Sequence, residues 1–498
     1  MQRGVLAGAN GLFFVLICMV LAFAPVPIGS NRPFFWELNA AIIAVMAFVY
    51  LIRLGDEPGR LRISLGDLAW PGAALGVAML WMVVQVIPLP SWLAPAIWSD
   101  AQGALGYPIG KTISLDPAAT VHMLLNYAAY ALLFFLVVQV CANEDRAHRL
   151  LQVVFWSIAV HAAIGIVLLM QFGDTLLFLP KWAYHGVATG FFVNRNSFAT
   201  FLAFGLAIGA ALLVDALAPS RRSGQNRPFH EVFRLDAMIG AIGGYGTGMA
   251  IIGSALLLTA SRMGAVVGVI GMLMPVLMSM ARSRGRRVVL GLLAVALLAI
   301  ALGLVLLSGA QLTDRLGSLE TEDDERWELF RQTLSMIASR PLIGFGGGTF
   351  EDAFPLFHQI QLSADVVWDR AHNLYLELWT DLGIFALAPI ASVGLIMAKM
   401  RYALGSGRSW AAGAAALTVC MIAAVHSLVD FSLQIEAVTL IFVAVMGSGY
   451  AQGVSAEVRQ MAKSHAAGGL KDHRSRRAAP ILPISPAPFG NVGEAGSP

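Results

Sequence analysis

The sequence predicts an all-α, polytopic membrane protein with about twelve transmembrane helices and a large, partly helical outer loop. Three observations carry this. Of 498 residues, 57% are hydrophobic and only 13% are charged, whereas soluble domains carry roughly 25% charged residues. The apolar runs are long and unbroken rather than alternating, which selects helices over barrel strands. Glycine is abundant, at 50 residues, as suits helices packed closely within a bilayer. A net charge of +3 gives no reason to invoke nucleic acid. The cysteines Cys18, Cys141 and Cys420 all lie in apolar runs, which argues against a disulfide framework or a thiolate-held metal.

Runs of roughly 17–25 apolar residues suffice to cross a bilayer. They fall at about 8–27, 35–53, 68–90, 120–141, 150–171, 196–217, 237–260, 263–280, 288–308, 373–398, 410–428 and 434–452. The first run follows Arg3 but lacks a small-residue cleavage site, so it is read as a span and not a signal peptide. Arg60 and Arg62, Arg146 and Arg149, Arg221 and Arg222, Arg284 and Arg286, and Lys399 and Arg401 fall on alternate loops. By the positive-inside rule those loops are cytoplasmic, as are both chain ends. Residues 1–452 then form the transmembrane domain, and 453–498, basic and then rich in Pro, Gly and Ala, a disordered cytoplasmic tail.

The opposite loops face outward, and the largest covers about 309–372. An acidic patch, Glu320 to Glu325, precedes a segment with Trp327, Phe330, Leu334 and Ile337 at helical spacing. That pattern predicts an amphipathic helix at or above the membrane surface. Pro341 ends it, and Gly344 to Gly348 makes a flexible turn.

Ionisable groups at the mouths of apolar helices are expensive and are functional candidates for that reason. Arg195 lies where an outer loop enters a span, and Arg262 lies at an outer hairpin. The guanidinium fork suits phosphate oxygens, so two such forks can hold a lipid diphosphate and stabilise it as a leaving group. Either one alone is as readily a snorkelling residue bound to lipid phosphate. The densest cluster is Arg370 to Gly383. His372 sits at a helix mouth, where it is either a proton-exchanging group, histidine being the side chain suited to that near neutral pH, or a helix-start residue hydrogen-bonded to a loop carbonyl. Glu377 and Asp381 share a helix face, where they orient His372, pair with an outward arginine or serve structure alone. His426 and Asp430 repeat the spacing near the outer end of another span, as supporting groups, an acceptor site or a packing hydrogen bond. No tight His, Asp and Glu ligand cluster appears, so no metal is expected.

Taken in order, Asn194-Arg195-Asn196, Leu258 to Arg262, Arg326, Arg340 to Phe350, and Ala371 to Gly383 with its His372-Asn373 pair resemble the O-antigen ligase and polymerase superfamily over about residues 110–450. The resemblance implies an inverting, metal-independent glycosyltransferase without cofactor, working at the periplasmic face of the bacterial inner membrane. It implies a glycan donor on undecaprenyl diphosphate. The acceptor is a sugar of the lipid A core in ligases, another carrier-linked repeat of O-antigen or exopolysaccharide in polymerases, and a protein hydroxyl in related enzymes. Carried over, Arg195 and Arg262 hold the diphosphate, and His372 serves the acceptor hydroxyl as base or as orienting partner. Arg326 falls where many members carry an arginine, and Asp381 where members carry an acid.

The competing expectation is a twelve-span transporter or flippase of lipid-linked glycan. Such proteins show related halves and charges near mid-membrane. Here the long loop follows the ninth span and the charges gather at outer helix ends, which favours the enzyme.

Overall fold

The structure, a computed structural model, describes residues 9–56, 61–92, 94–218, 235–282, 290, 291, 294, 295, 319–405, 407 and 409–477. The helices are α1 (Ala9–Phe23), α2 (Pro33–Asp56), α3 (Leu65–Val86), α4 (Ile97–Leu105), α5 (Pro117–Val140), α6 (Glu144–Gln171), α7 (Arg195–Ala216), α8 (Leu235–Leu258), α9 (Arg262–Arg282), α10 (Leu319–Ser339), α11 (Phe350–Ala353), α12 (Leu374–Leu382), α13 (Leu387–Gly405), α14 (Trp410–His426) and α15 (Glu436–Arg477). Among the described residues the only sheet is a hairpin of β1 (Thr175–Leu176) and β2 (Leu179–Pro180). The fold is all-α, as expected.

Nine helical segments among the described residues are long and apolar enough to cross a membrane, with α12 and α13 forming one of them, Leu374–Gly405. The shorter apolar helices Asn10–Phe23 and Trp410–His426 fall on the expected first and eleventh spans. The expected ninth span, 288–308, lies almost wholly outside the described residues. Helix α15 runs past position 453 to Arg477, through a stretch rich in the helix formers Ala, Glu, Lys and Arg. Residues 478–498 lie outside the described residues.

Polar residues just ahead of the spans set where helices begin. Asp116 accepts hydrogen bonds from the backbone N–H groups of Ala118 and Ala119, with Pro117 at the first helical position. Asn143 caps α6, and Ser64 with Asp67 forms a capping box on α3. Asn194 caps α7.

Helix α7 is the axis of the membrane core. Every residue from Asn196 to Val214 is buried. It packs against α6, α8, α9 and α14, most extensively against α9. A helix apolar all round belongs in the middle of a bundle. Its first turn is thereby fixed from several sides, and Arg195 is its first residue.

The segment 319–372 has its own small core that includes Leu329, Met336, Phe345, Phe350, Phe354, Leu362 and Ala371. The expected amphipathic helix is α10, but its buried face differs from the apolar stripe. Leu329, Gln332, Thr333 and Met336 point inward, whereas Trp327 is 72% and Leu334 53% exposed. Gln332 is tolerated inside because its amide donates to Glu328 and accepts from the backbone N–H of Gln359.

Residues 1–456 form one compact unit that contains every candidate residue. The second unit begins at Glu457 and is helical to Arg477.

Candidate functional site

The α12 start is built by Asn373. Its side-chain carbonyl accepts from the N–H groups of Tyr375 and Leu376 at 3.0 and 3.1 Å, and its amide donates to Leu428 O at 2.9 Å. The Leu374 N–H donates to Ser427 O, and the Tyr375 hydroxyl to Ala424 O, both at 3.0 Å. These bonds tie the mouth of α12 to the turn after α14. Asn373 is therefore a cap and a clamp.

His372 precedes that cap with φ at +51°, in the left-handed region. Non-glycine residues hold such a conformation only where the surroundings enforce it, and such residues gather at functional sites. Its ring stands edge-on to Phe431, with centroids 5.0 Å apart. Nδ1 is buried and has no hydrogen-bond partner among the described residues. Burial pushes the imidazole below the usual histidine range, Asp430 opposes that shift, and Arg326 adds to it. Arg326 thus lies within electrostatic reach of His372, although they are far apart in sequence.

Glu377 and Asp381, alike in the sequence, take different partners. Glu377 reaches back to the site: its carboxylate accepts from the Ala371 N–H at 2.9 Å, Arg370 Nη1 at 3.2 Å and Gln434 Nε2 at 2.6 Å. It fixes the backbone immediately before His372. Asp381 faces the other way, and its Oδ2 accepts from the Gly348 N–H at 2.9 Å. Its backbone carbonyl accepts from Gly346 N at 3.1 Å and Gln85 Nε2 at 2.8 Å. Here the glycine turn docks on α12. A Cβ on Gly344 would stand 2.4 Å from Asp381 O, and one on Gly383 2.4 Å from the Leu342 carbonyl carbon, both at positive φ. The turn expected to be flexible is thus clasped on both sides, and only glycine fits there.

The two arginines are each the first residue of a helix, Arg195 of α7 and Arg262 of α9. Arg195 is half-buried and stacks over Tyr184 at 5.6 Å, while Arg262 is exposed. The loop leading to Arg195 is stiffened by Lys181, which pairs with Asp174 and donates to Val187 O. The hairpin ahead of Arg262 turns on Ala260, also left-handed at φ +51°. Between the arginines runs a buried polar chain. Ser261 Oγ donates to Asn196 Oδ1 at 2.8 Å, and Asn196 Nδ2 donates to Asp430 Oδ2 at 2.7 Å. Asp430 Oδ1 accepts from Phe431 N at 2.8 Å and Ser432 Oγ at 3.1 Å. Ser432 Oγ also meets His426 Nδ1 at 3.3 Å.

Ser261, Asn196, Asp430, Ser432 and His426, spread over more than two hundred residues of sequence, are therefore joined in one hydrogen-bonded network, which adjoins Arg195 and Arg262 in sequence and meets His372 through the Phe431 ring. Asp381 stands outside it. Phe431, Ser432, Gln434, Ser261 and Arg370 are structural partners that residue-type reasoning did not assign. Ser261 and Asn196 adjoin the arginines in sequence, which was a usable signal. Gln434 offered none, because nothing local marks its reach to Glu377.

Chemically, the arrangement offers a buried histidine nitrogen with no partner among the described residues, and a network that links the Phe431 loop packed on that histidine to the starts of α7 and α9, which carry the two guanidinium groups. That combination suits proton transfer next to a bound anion. No curated protein matches the chain. A family model described as O-antigen ligase matches residues 247–391, from α8 through Arg262, Arg326 and His372 into α13, and this match supports membership of the O-antigen ligase superfamily.

Proposed function

We propose that this membrane enzyme of the ligase and polymerase type moves a glycan from an undecaprenyl-diphosphate donor to an acceptor hydroxyl, at the periplasmic face of the bacterial inner membrane. The observation that carries the reading is the unpartnered Nδ1 of His372, held at a helix mouth that the Asn196 and Asp430 network joins to the starts of α7 and α9. The acceptor oxygen attacks the anomeric carbon of the donor sugar. The bond from that carbon to the diphosphate oxygen breaks with its electron pair, and the hydroxyl proton passes to His372. Attack opposite the leaving group inverts the anomeric centre. Arg195 and Arg262 hold the diphosphate and neutralise the charge that develops on it, so the step calls for no metal. The acceptor is a lipid A core sugar or a growing glycan.

The test is transfer by purified protein from a synthetic polyprenyl-diphosphate glycan. His372→Ala and Arg262→Ala each abolish product while the protein still accumulates in the membrane; full activity in both overturns the proposal. Vesicles containing only this protein test the transporter alternative, since movement of lipid-linked glycan without any transfer product would favour it.

A further inference from the structure

We propose that Asn196 is the positioning residue of this site: a single amide that fixes both arginine-bearing helix starts against the loop that packs on His372. This role rests on the transfer function proposed above. A guanidinium on a long stem adapts its tip, so the spacing of two such groups is set by where their backbones begin. Arg195 and Arg262 are the first residues of α7 and α9. The backbone N–H of Asn196 donates to Asn194 Oδ1 at 2.7 Å, which closes the cap of α7. Its side-chain carbonyl takes the Ser261 hydroxyl, and Ser261 Oγ in turn accepts from the Gly264 N–H at 3.1 Å in the first turn of α9. The two helices meet closely just beyond, because a Cβ on Gly264 would stand 2.5 Å from the Ala199 Cβ.

The amide's other end faces Asp430. A carboxylate only accepts, so the nitrogen of Asn196 must point at Asp430 and its oxygen at Ser261. Asp430 passes the constraint on through the Phe431 N–H, and the Phe431 ring lies against His372. Thr200, one turn along α7, donates to Ser432 Oγ at 3.0 Å and braces the same loop. Asn196 is 8%, Ser261 5% and Asp430 1% exposed. At such depth a lost partner is not replaced by water, so removal of the amide leaves two groups unsatisfied and shifts both helix starts. An aspartate could not replace asparagine alone, because two buried carboxylates would then face one another. The exchanged pair Asn196→Asp with Asp430→Asn keeps every bond. The carboxylate, now on α7, accepts from the amide, now on the loop, and from Ser261. That amide still presents one oxygen to Phe431 N and Ser432.

The experiment compares wild type, R262A, N196A and the N196D/D430N pair in one transfer assay, with thermal melting in detergent measured alongside. N196A lowers transfer about 100-fold, as a displacement of roughly 1 Å near a reacting centre does. The exchanged pair returns it to within about tenfold of wild type, roughly one hydrogen bond's worth of residual loss. The pair decides the matter if N196A does not accumulate. Restored melting without restored transfer overturns the positioning role, since a purely structural bond would restore stability alone. Near-normal transfer by N196A beside an inactive R262A also overturns it and leaves the proposed function standing. Full transfer by R262A overturns that function, and the positioning role with it.

Discussion

The two ends of the short helix α12 carry similar ionisable groups and use them in opposite ways. At its mouth, Glu377 commits its carboxylate to the Ala371 backbone, Arg370 and Gln434, and His372 is left with a buried nitrogen that nothing in the described protein satisfies. At its foot, Asp381 gives a carboxylate oxygen and its carbonyl to the glycine turn and Gln85, and the glycines press backbone against backbone. In the proposed function one end serves the transfer step; the other ties the glycine turn to α12 and α3. Residue type does not tell these roles apart. The partners each side chain reaches do.

The comparison breaks most visibly at His372. His372→Ala should lower transfer by about 10²–10⁴-fold, the usual contribution of a positioned base, with melting nearly unchanged. Asp381→Ala should do the reverse, losing about 1–3 kcal/mol of stability from buried N–H groups left unpaired while transfer per folded molecule stays close to wild type. If Asp381→Ala proves fully stable yet inactive, the division between the two ends fails. Gly383→Ala comes next. Its Cβ would meet the Leu342 carbonyl at positive φ, and a cost of about 2 kcal/mol or more should appear as poor accumulation and a lower melting temperature.

Glu377→Gln is expected to be milder. A glutamine offers one acceptor oxygen where the carboxylate serves three donors, so the loop before His372 loosens and transfer falls about tenfold. The readout is the transfer rate of protein normalised for folding. The smallest effect belongs to Arg326. His372 must be neutral to accept a proton, so activity falls as pH drops through its pKa. Burial sets that pKa below the usual histidine value, and Arg326 pushes it lower still. Arg326→Gln removes the cation, so the acid limb of the pH profile should move to higher pH. A limb that stays in place would show that Arg326 does not act on His372.

Much of the architecture was legible in the chain. Apolar runs of spanning length, interrupted by Arg-rich loops, mark the helices because a bilayer leaves the backbone no other partner than itself. Caps such as Asn373 and Asn194 emerged only from the structure, although each is a short polar side chain ahead of an apolar run, of the kind that satisfies the first free N–H groups locally. The stripe on α10 misled about which face is buried. Helical period shows that apolar residues share a face, but Trp327 and Leu334 stay outside while Gln332 and Thr333 go in, because Gln332 accepts from the distant Gln359 N–H and Thr333 donates back to Leu329 O one turn earlier.

The sequence by itself determined an all-α membrane protein with a charged helix mouth at Arg370 to Gly383, and it named Arg195, Arg262 and His372 as the residues to examine. Those are consequences of local chemistry: hydropathy, period and the cost of charge near lipid. Only the tertiary structure decided that Glu377 serves the His372 loop while Asp381 serves the glycine clasp, and that Asn196 links Ser261 to Asp430. Those bonds join residues up to hundreds of positions apart. Which buried donor finds which acceptor is settled by the packing of α7 among its neighbours, not by any spacing along the chain.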